Sequence, residues 1–154
     1  MTQRWVFVVK CLDKPGVLTA AASVFSNRGI SLEAVLGSGI AATSIETGRL
    51  ILSFHATQRK KEMLLSALTR LSGVLQVSDY PFDDPTLRSI AIAKVSNSQT
   101  VELNLDLIQT ETISETAEGR LLLLTGSTAA VESVIETLRQ RSMLLDLVTA
   151  AIAI

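Results

Sequence analysis

An α+β protein of two tandem βαββαβ modules, the second with a shortened first crossover, is what three observations in this sequence predict. Apolar residues over 1–80 switch between period 2 and period 3.6 in the order strand, helix, strand, strand, helix, strand. Tyr80-Pro81-Phe82-Asp83-Asp84-Pro85 then interrupts the pattern with two prolines and two acids. Beyond it, Gly119-Arg120-Leu121-Leu122-Leu123 repeats Gly48-Arg49-Leu50-Ile51-Leu52 almost letter for letter, the mark of an internal repeat. The expected division is a first module over 1–80, a linker over 81–86 and a second module over 87–154.

Arg4 to Cys11 is rich in β-branched and aromatic residues, as a strand buried on both faces requires. Asp13-Lys14-Pro15-Gly16 turns the chain, and Val17, Ala20, Ala21, Val24 and Phe25 follow at helical spacing. The predicted helix runs from Pro15 to Arg28, with Pro15 in its first turn and Asp13 as its capping acceptor. Strands are expected over Ile30–Leu36 and Arg49–Ala56, separated by a loop opening at Gly37-Ser38-Gly39. Leu64, Leu65, Leu68 and Leu71 mark a helix over Gln58–Leu71, Gly73 supplies its exit, and Val74–Ser78 forms a short strand. This order is the ferredoxin-like arrangement of a four-stranded antiparallel sheet under two helices.

In the second half, Ser89–Lys94 matches the first strand, Thr128–Arg141 reads as the last helix, and Leu144–Ile154 as the last strand. Lys10 to Gly48 spans about 38 residues and Lys94 to Gly119 about 25, a difference that one helix would nearly fill. Val101, Leu103, Leu105 and Leu107 alternate as an extended edge would.

Composition excludes several classes of function. With 47% hydrophobic and 19% charged residues the chain has ample apolar surface to fold, and its net charge of -1 supplies no basic patch for nucleic acid. Arg59-Lys60-Lys61, beside Glu62, reads as a solvated helix start. No apolar stretch approaches the ~18 residues needed to cross a bilayer, so no membrane is expected. The single cysteine, Cys11, lies in an apolar run and reads as a buried structural thiol, and a cytoplasmic location is expected. Apolar area beyond what two small modules can hide points to subunit contacts, a homodimer or higher homo-oligomer.

Catalytic chemistry is poorly supplied. His55 is the only histidine and alternates as a strand residue facing solvent or an interface, so no catalytic residue is assigned. One His and one Cys do not build a closed zinc site, Asp83 and Asp84 lack a calcium-loop pattern, and no metal site is expected. No GxGxxG or Walker sequence occurs. The turn before the first predicted helix is different. Amides of a helix start carry a positive dipole end and can take a carboxylate, Gly16 lets a ligand approach the backbone, and Asp13 can hold an ammonium. That spacing suits an α-amino acid. A plain cap and a plain turn explain the same letters, and bare physics favours that simpler reading.

VFVVKCLDKPGVLTAAASVFSNRGISLEAV resembles the opening of an ACT domain, in which a strand passes through a D-x-P-G-V-L turn into a helix ending at R-G-I. The tandem layout, with VLQVSDYP closing one module and LRSIAIAKV opening the next, is similar to the small regulatory subunit of acetolactate (acetohydroxyacid) synthase over essentially the whole chain. The resemblance implies a regulator with no active site and no cofactor of its own. Thiamine diphosphate, flavin and Mg²⁺ would belong to a separate catalytic subunit as partner. It also implies that two first modules pair edge to edge and bind valine or a related branched-chain effector between Asp13, Pro15, Gly16 and Val17 of one chain and Ser31 and Leu32 of the other. Asparagine commonly stands in that family where this chain has Asp13 and Ser31, which changes charge and donor capacity while leaving Asp13 able to pair with an ammonium. The competing expectation is an assembly module that keeps the dimer and binds no ligand.

Overall fold

A computed structural model describes residues 1–39, 46–97 and 106–154. Its contacts divide the chain into Met1–Phe82 and Asp83–Ala153. The first unit contains β1 (Gln3–Leu12), α1 (Val17–Ser26), β2 (Leu32–Gly39), β3 (Thr47–Ala56), α2 (Gln58–Thr69) and β4 (Val74–Pro81). Its sheet has the order β2-β3-β1-β4, antiparallel throughout. The continuous apolar run of β1 follows from that central place, with β3 on one side and β4 on the other. Trp5, Phe7, Val9 and Cys11 join Leu50, Leu52 and Phe54 of β3 in the core beneath the helices. Phe7, Phe25 and Phe54 meet edge to face there, with ring centroids 4.7 to 6.3 Å apart, and tie α1 to the two central strands.

The second unit contains β5 (Arg88–Val95), β6 (Ile108–Thr116), β7 (Gly119–Ser127), α3 (Thr128–Gln140) and β8 (Leu144–Ile152). Its sheet order, β6-β7-β5-β8, repeats that of the first. The two glycine-led repeats open the equivalent strands β3 and β7. The chain is therefore two tandem ferredoxin-like modules, and the first crossover of the second is the shorter, Val95 to Ile108 against Leu12 to Leu32. Val101, Leu103 and Leu105 lie outside the described residues, while Leu107 is in a turn rather than in the expected edge strand. Val131, Val134, Ile135 and Leu138 of α3 pack on Ala91, Ala93, Leu122 and Leu124 to form the second core.

Four local expectations are corrected. The first helix begins at Val17, and Gly16 is its N-cap in the left-handed region, φ 91° and ψ -17°, with no side-chain cap; Asp13 does not cap it and Pro15 precedes it. β2 starts at Leu32 and continues through Gly37, Ser38 and Gly39, whose backbone pairs with Leu50, Arg49 and Gly48 instead of breaking into a loop. β4 runs on to Pro81, opposite Trp5, so the first residue of the expected linker is strand. Lys61 is not solvated. It shares the inward 61-64-68 stripe of α2 and is buried, with its ammonium 2.6 Å from Asp79 of β4 and 4.7 Å from the Trp5 ring centre.

Among the described residues no helix is long and apolar enough to cross a membrane. Cys11 is free and buried. His55 projects from β3 with 58% of its side chain exposed, 3.9 Å from Glu33.

Candidate functional site

The turn between β1 and α1 is anchored on both sides. Leu12 N–H donates to the Gly73 carbonyl and Asp13 N–H to the Glu46 carbonyl, each at 2.8 Å. The chain must then reverse direction within a few residues to lay α1 on the sheet, and the positive φ of Gly16 makes that turn. Space around Gly16 is open, since a Cβ built there would meet nothing within 4 Å. With no side chain capping α1, the amides of its first turn have no partner from a cap.

Asp13, released from capping, extends toward the sheet edge. A Cβ on Gly39 would stand 3.1 Å from Asp13 Oδ2, and one on Gly48 would stand 3.5 Å from Asp13 Cβ. Glycine at both positions therefore clears room for this carboxylate. The result is a cleft of about 270 Å³ lined by Asp13, Lys14, Val17 and Leu18 on one side and by Gly37–Gly39, Gly48 and Arg49 on the other. That volume is at the small end of ligand sites and suits a compact molecule. Its chemistry is mixed: one carboxylate for an ammonium, two cations and a helix start for a carboxylate, and Val17 and Leu18 for an apolar side chain. Cys11 lines the same cleft, and burial, followed by the charge of Asp13, pushes its thiol above the ordinary value.

The predicted residues are only partly brought together. Asp13 and Val17 line this cleft. Pro15 and Gly16 line its neighbour on the far side of the turn, with Val17, Leu71 and Gly73, also about 270 Å³. Ser31 and Leu32 lie at the opposite end of β2: Leu32 pairs with Phe54 whereas Gly39 pairs with Gly48, a separation of roughly 20 Å along the strand. Sequence reasoning missed Lys14, Leu18, Ser38, Arg49 and the glycines of β2 and β3. Their signal was the coincidence of Gly37, Gly39 and Gly48, which reads as loop punctuation until strand register aligns it.

No family model matches this chain. It is 27% identical over 132 residues to the acetolactate synthase small subunit of Mycobacterium leprae, covering 82% of this chain and 76% of that protein. It is 26% identical, with the same coverage, to the putative acetolactate synthase small subunit of Mycobacterium tuberculosis H37Rv. Among solved structures, the acetolactate synthase small subunit of Thermotoga maritima superposes with a TM-score of 0.69 at 21% identity, over 97% of this chain and 96% of that one. The chain thus resembles acetolactate synthase small subunits in sequence, and shares the fold of the Thermotoga maritima protein across both ferredoxin-like modules.

Proposed function

We propose that this chain is the regulatory small subunit of an acetolactate synthase, without an active site of its own. It binds a branched-chain amino acid at the Asp13–Val17 corner and modulates a separate, thiamine-diphosphate-dependent catalytic subunit in the cytoplasm. The cofactors are assigned to that partner. The sequence relatives support the class of protein. The ligand rests on one observation above the others: Asp13, Lys14, Arg49 and an uncapped helix start surround one small cleft at the edge of a sheet. Along that edge β2 has no strand on its outer side among the described residues, and its only charged side chain, Glu33, is engaged by Arg4 at 2.8 Å. Such an edge invites a second copy, which would close the cleft and bring in the positions that the resemblance implies, Leu32 at the start of its β2 and Ser31 just ahead of it.

Regulation on this reading is a coupling free energy, so the effector must bind differently to the active and inhibited arrangements of the complex. Thermal unfolding with and without valine, leucine or isoleucine tests the ligand. At about 100 times its dissociation constant an effector contributes about 2.7 kcal/mol, a shift of several degrees. Co-purification with the catalytic subunit, followed by acetolactate assays with and without this chain, tests the partner. The replacement of asparagine by Asp13 and Ser31 favours one alternative, an assembly module that dimerises without a ligand. It predicts co-purification with no amino-acid shift in melting.

A further inference from the structure

A second cleft lies on the helix side of the first module, away from the sheet edge. It has a volume of about 310 Å³ and is lined by Arg28, Arg59, Glu62, Met63, Ser66 and Arg70. Three guanidiniums face one small volume, and among the described residues none of the three is in an ion pair. Glu62, the single acid in the lining, accepts a hydrogen bond from Gln58 at 2.9 Å and offsets one of the three charges, which leaves the lining net positive. Two of the arginines are placed by hydrogen bonds to the chain's own backbone. Arg28 donates through Nη1 to the Val24 carbonyl at 3.1 Å, and Arg70 donates through Nε to the Ser66 carbonyl at 3.2 Å, which folds it back along α2 toward the cleft. Arg28 Nε is buried and has no acceptor, the only buried side-chain donor in that condition among the described residues. One buried donor of Arg28 is thus unpaired beside Arg59 and Arg70, both exposed.

We propose that this cleft binds a multiply charged oxyanion of the phosphate or carboxylate class, held by Arg28, Arg59 and Arg70. Guanidinium forks match the planar edges of such groups and are always charged at physiological pH. Arg59 in the first turn of α2 and Arg70 at its C-cap line the same cleft, whose size suits a compact polyanion rather than an extended one. Met63 between them offers an apolar floor, with 48% of its surface exposed. The site is independent of the amino-acid corner, and its existence does not depend on the function proposed above.

Titration calorimetry of the full chain with inorganic pyrophosphate and, separately, with citrate, at constant ionic strength, tests the site. Binding at millimolar concentration or below is expected for at least one probe, and which of the two binds more tightly assigns the class. The double variant Arg59→Gln/Arg70→Gln removes two charge-assisted contacts at exposed positions and should weaken binding by roughly tenfold or more, with unchanged circular dichroism. Lys60→Gln removes an adjacent cation outside the lining and should change affinity by less than about twofold. Arg28→Lys keeps the charge without the fork and should still weaken binding. No binding of either probe, an unchanged affinity in the double variant, or an equal loss in Lys60→Gln would overturn the proposal.

Discussion

Two glycines at the proposed amino-acid corner do different work, and substitutions separate them. Gly16 holds a left-handed backbone with open space around it, so Gly16→Ala should cost about 1–2 kcal/mol of stability through conformation alone. Gly39 has no such backbone demand but sits against Asp13 Oδ2, so Gly39→Ala should change stability by less than about 0.5 kcal/mol while displacing the carboxylate. Melting curves with valine should therefore show a lower starting point and a retained shift for Gly16→Ala, and an unchanged starting point with a lost shift for Gly39→Ala. Equal valine shifts in Gly39→Ala and the parent chain would remove Asp13 from the site. Asp13 and Gly16 were legible as a turn with chemical potential, because proline, glycine and an acid at a strand-to-helix junction have local causes. Arg49 and Gly48 were not, because a strand residue acquires its meaning from the neighbour across the sheet. Lys61 shows the same limit. Its place in a cationic run suggested solvent, whereas its spacing from Leu64 and Leu68 put it under α2 with Asp79 as partner.

Helices α2 and α3 start in the same way. The hydroxyl of Thr57 accepts the Lys60 amide and that of Ser127 accepts the Ala130 amide, each at 3.2 Å. Replacing either by Ala should cost about 1 kcal/mol in urea denaturation, because an orphan amide of the first turn loses its partner. The third helix start, at α1, has glycine in that place and no hydroxyl. Element order, both sheets and the shortened crossover were legible from hydrophobic period and the internal repeat. Element ends were less so. β2 extended through Gly37–Gly39 because β3 offered it partners, and β4 extended to Pro81 because an edge strand tolerates proline's missing donor. Both extensions arise from tertiary pairing, which local propensity does not encode.

At the scale of the chain, the first module carries its own core: the aromatic triangle, the Lys61–Asp79 pair and all four strands of its sheet lie within Met1–Phe82. A fragment of residues 1–82 should therefore fold, with one cooperative thermal transition and dispersed amide resonances in a heteronuclear NMR spectrum. A collapsed spectrum would show that its stability is borrowed. The duplication itself was legible in the sequence, since five near-identical residues recur at the head of equivalent strands. What the second module contributes was not, because its first crossover is shorter than the one that carries the corner in the first. The unclosed flank of β2 has a quantitative consequence. If a receptor is finished only when two protomers meet, association and occupancy are linked equilibria, and effector affinity rises with protomer concentration. Dilution would then blunt the response at any nutrient level, so a cell would tune its sensitivity through gene dosage as well as through metabolite supply.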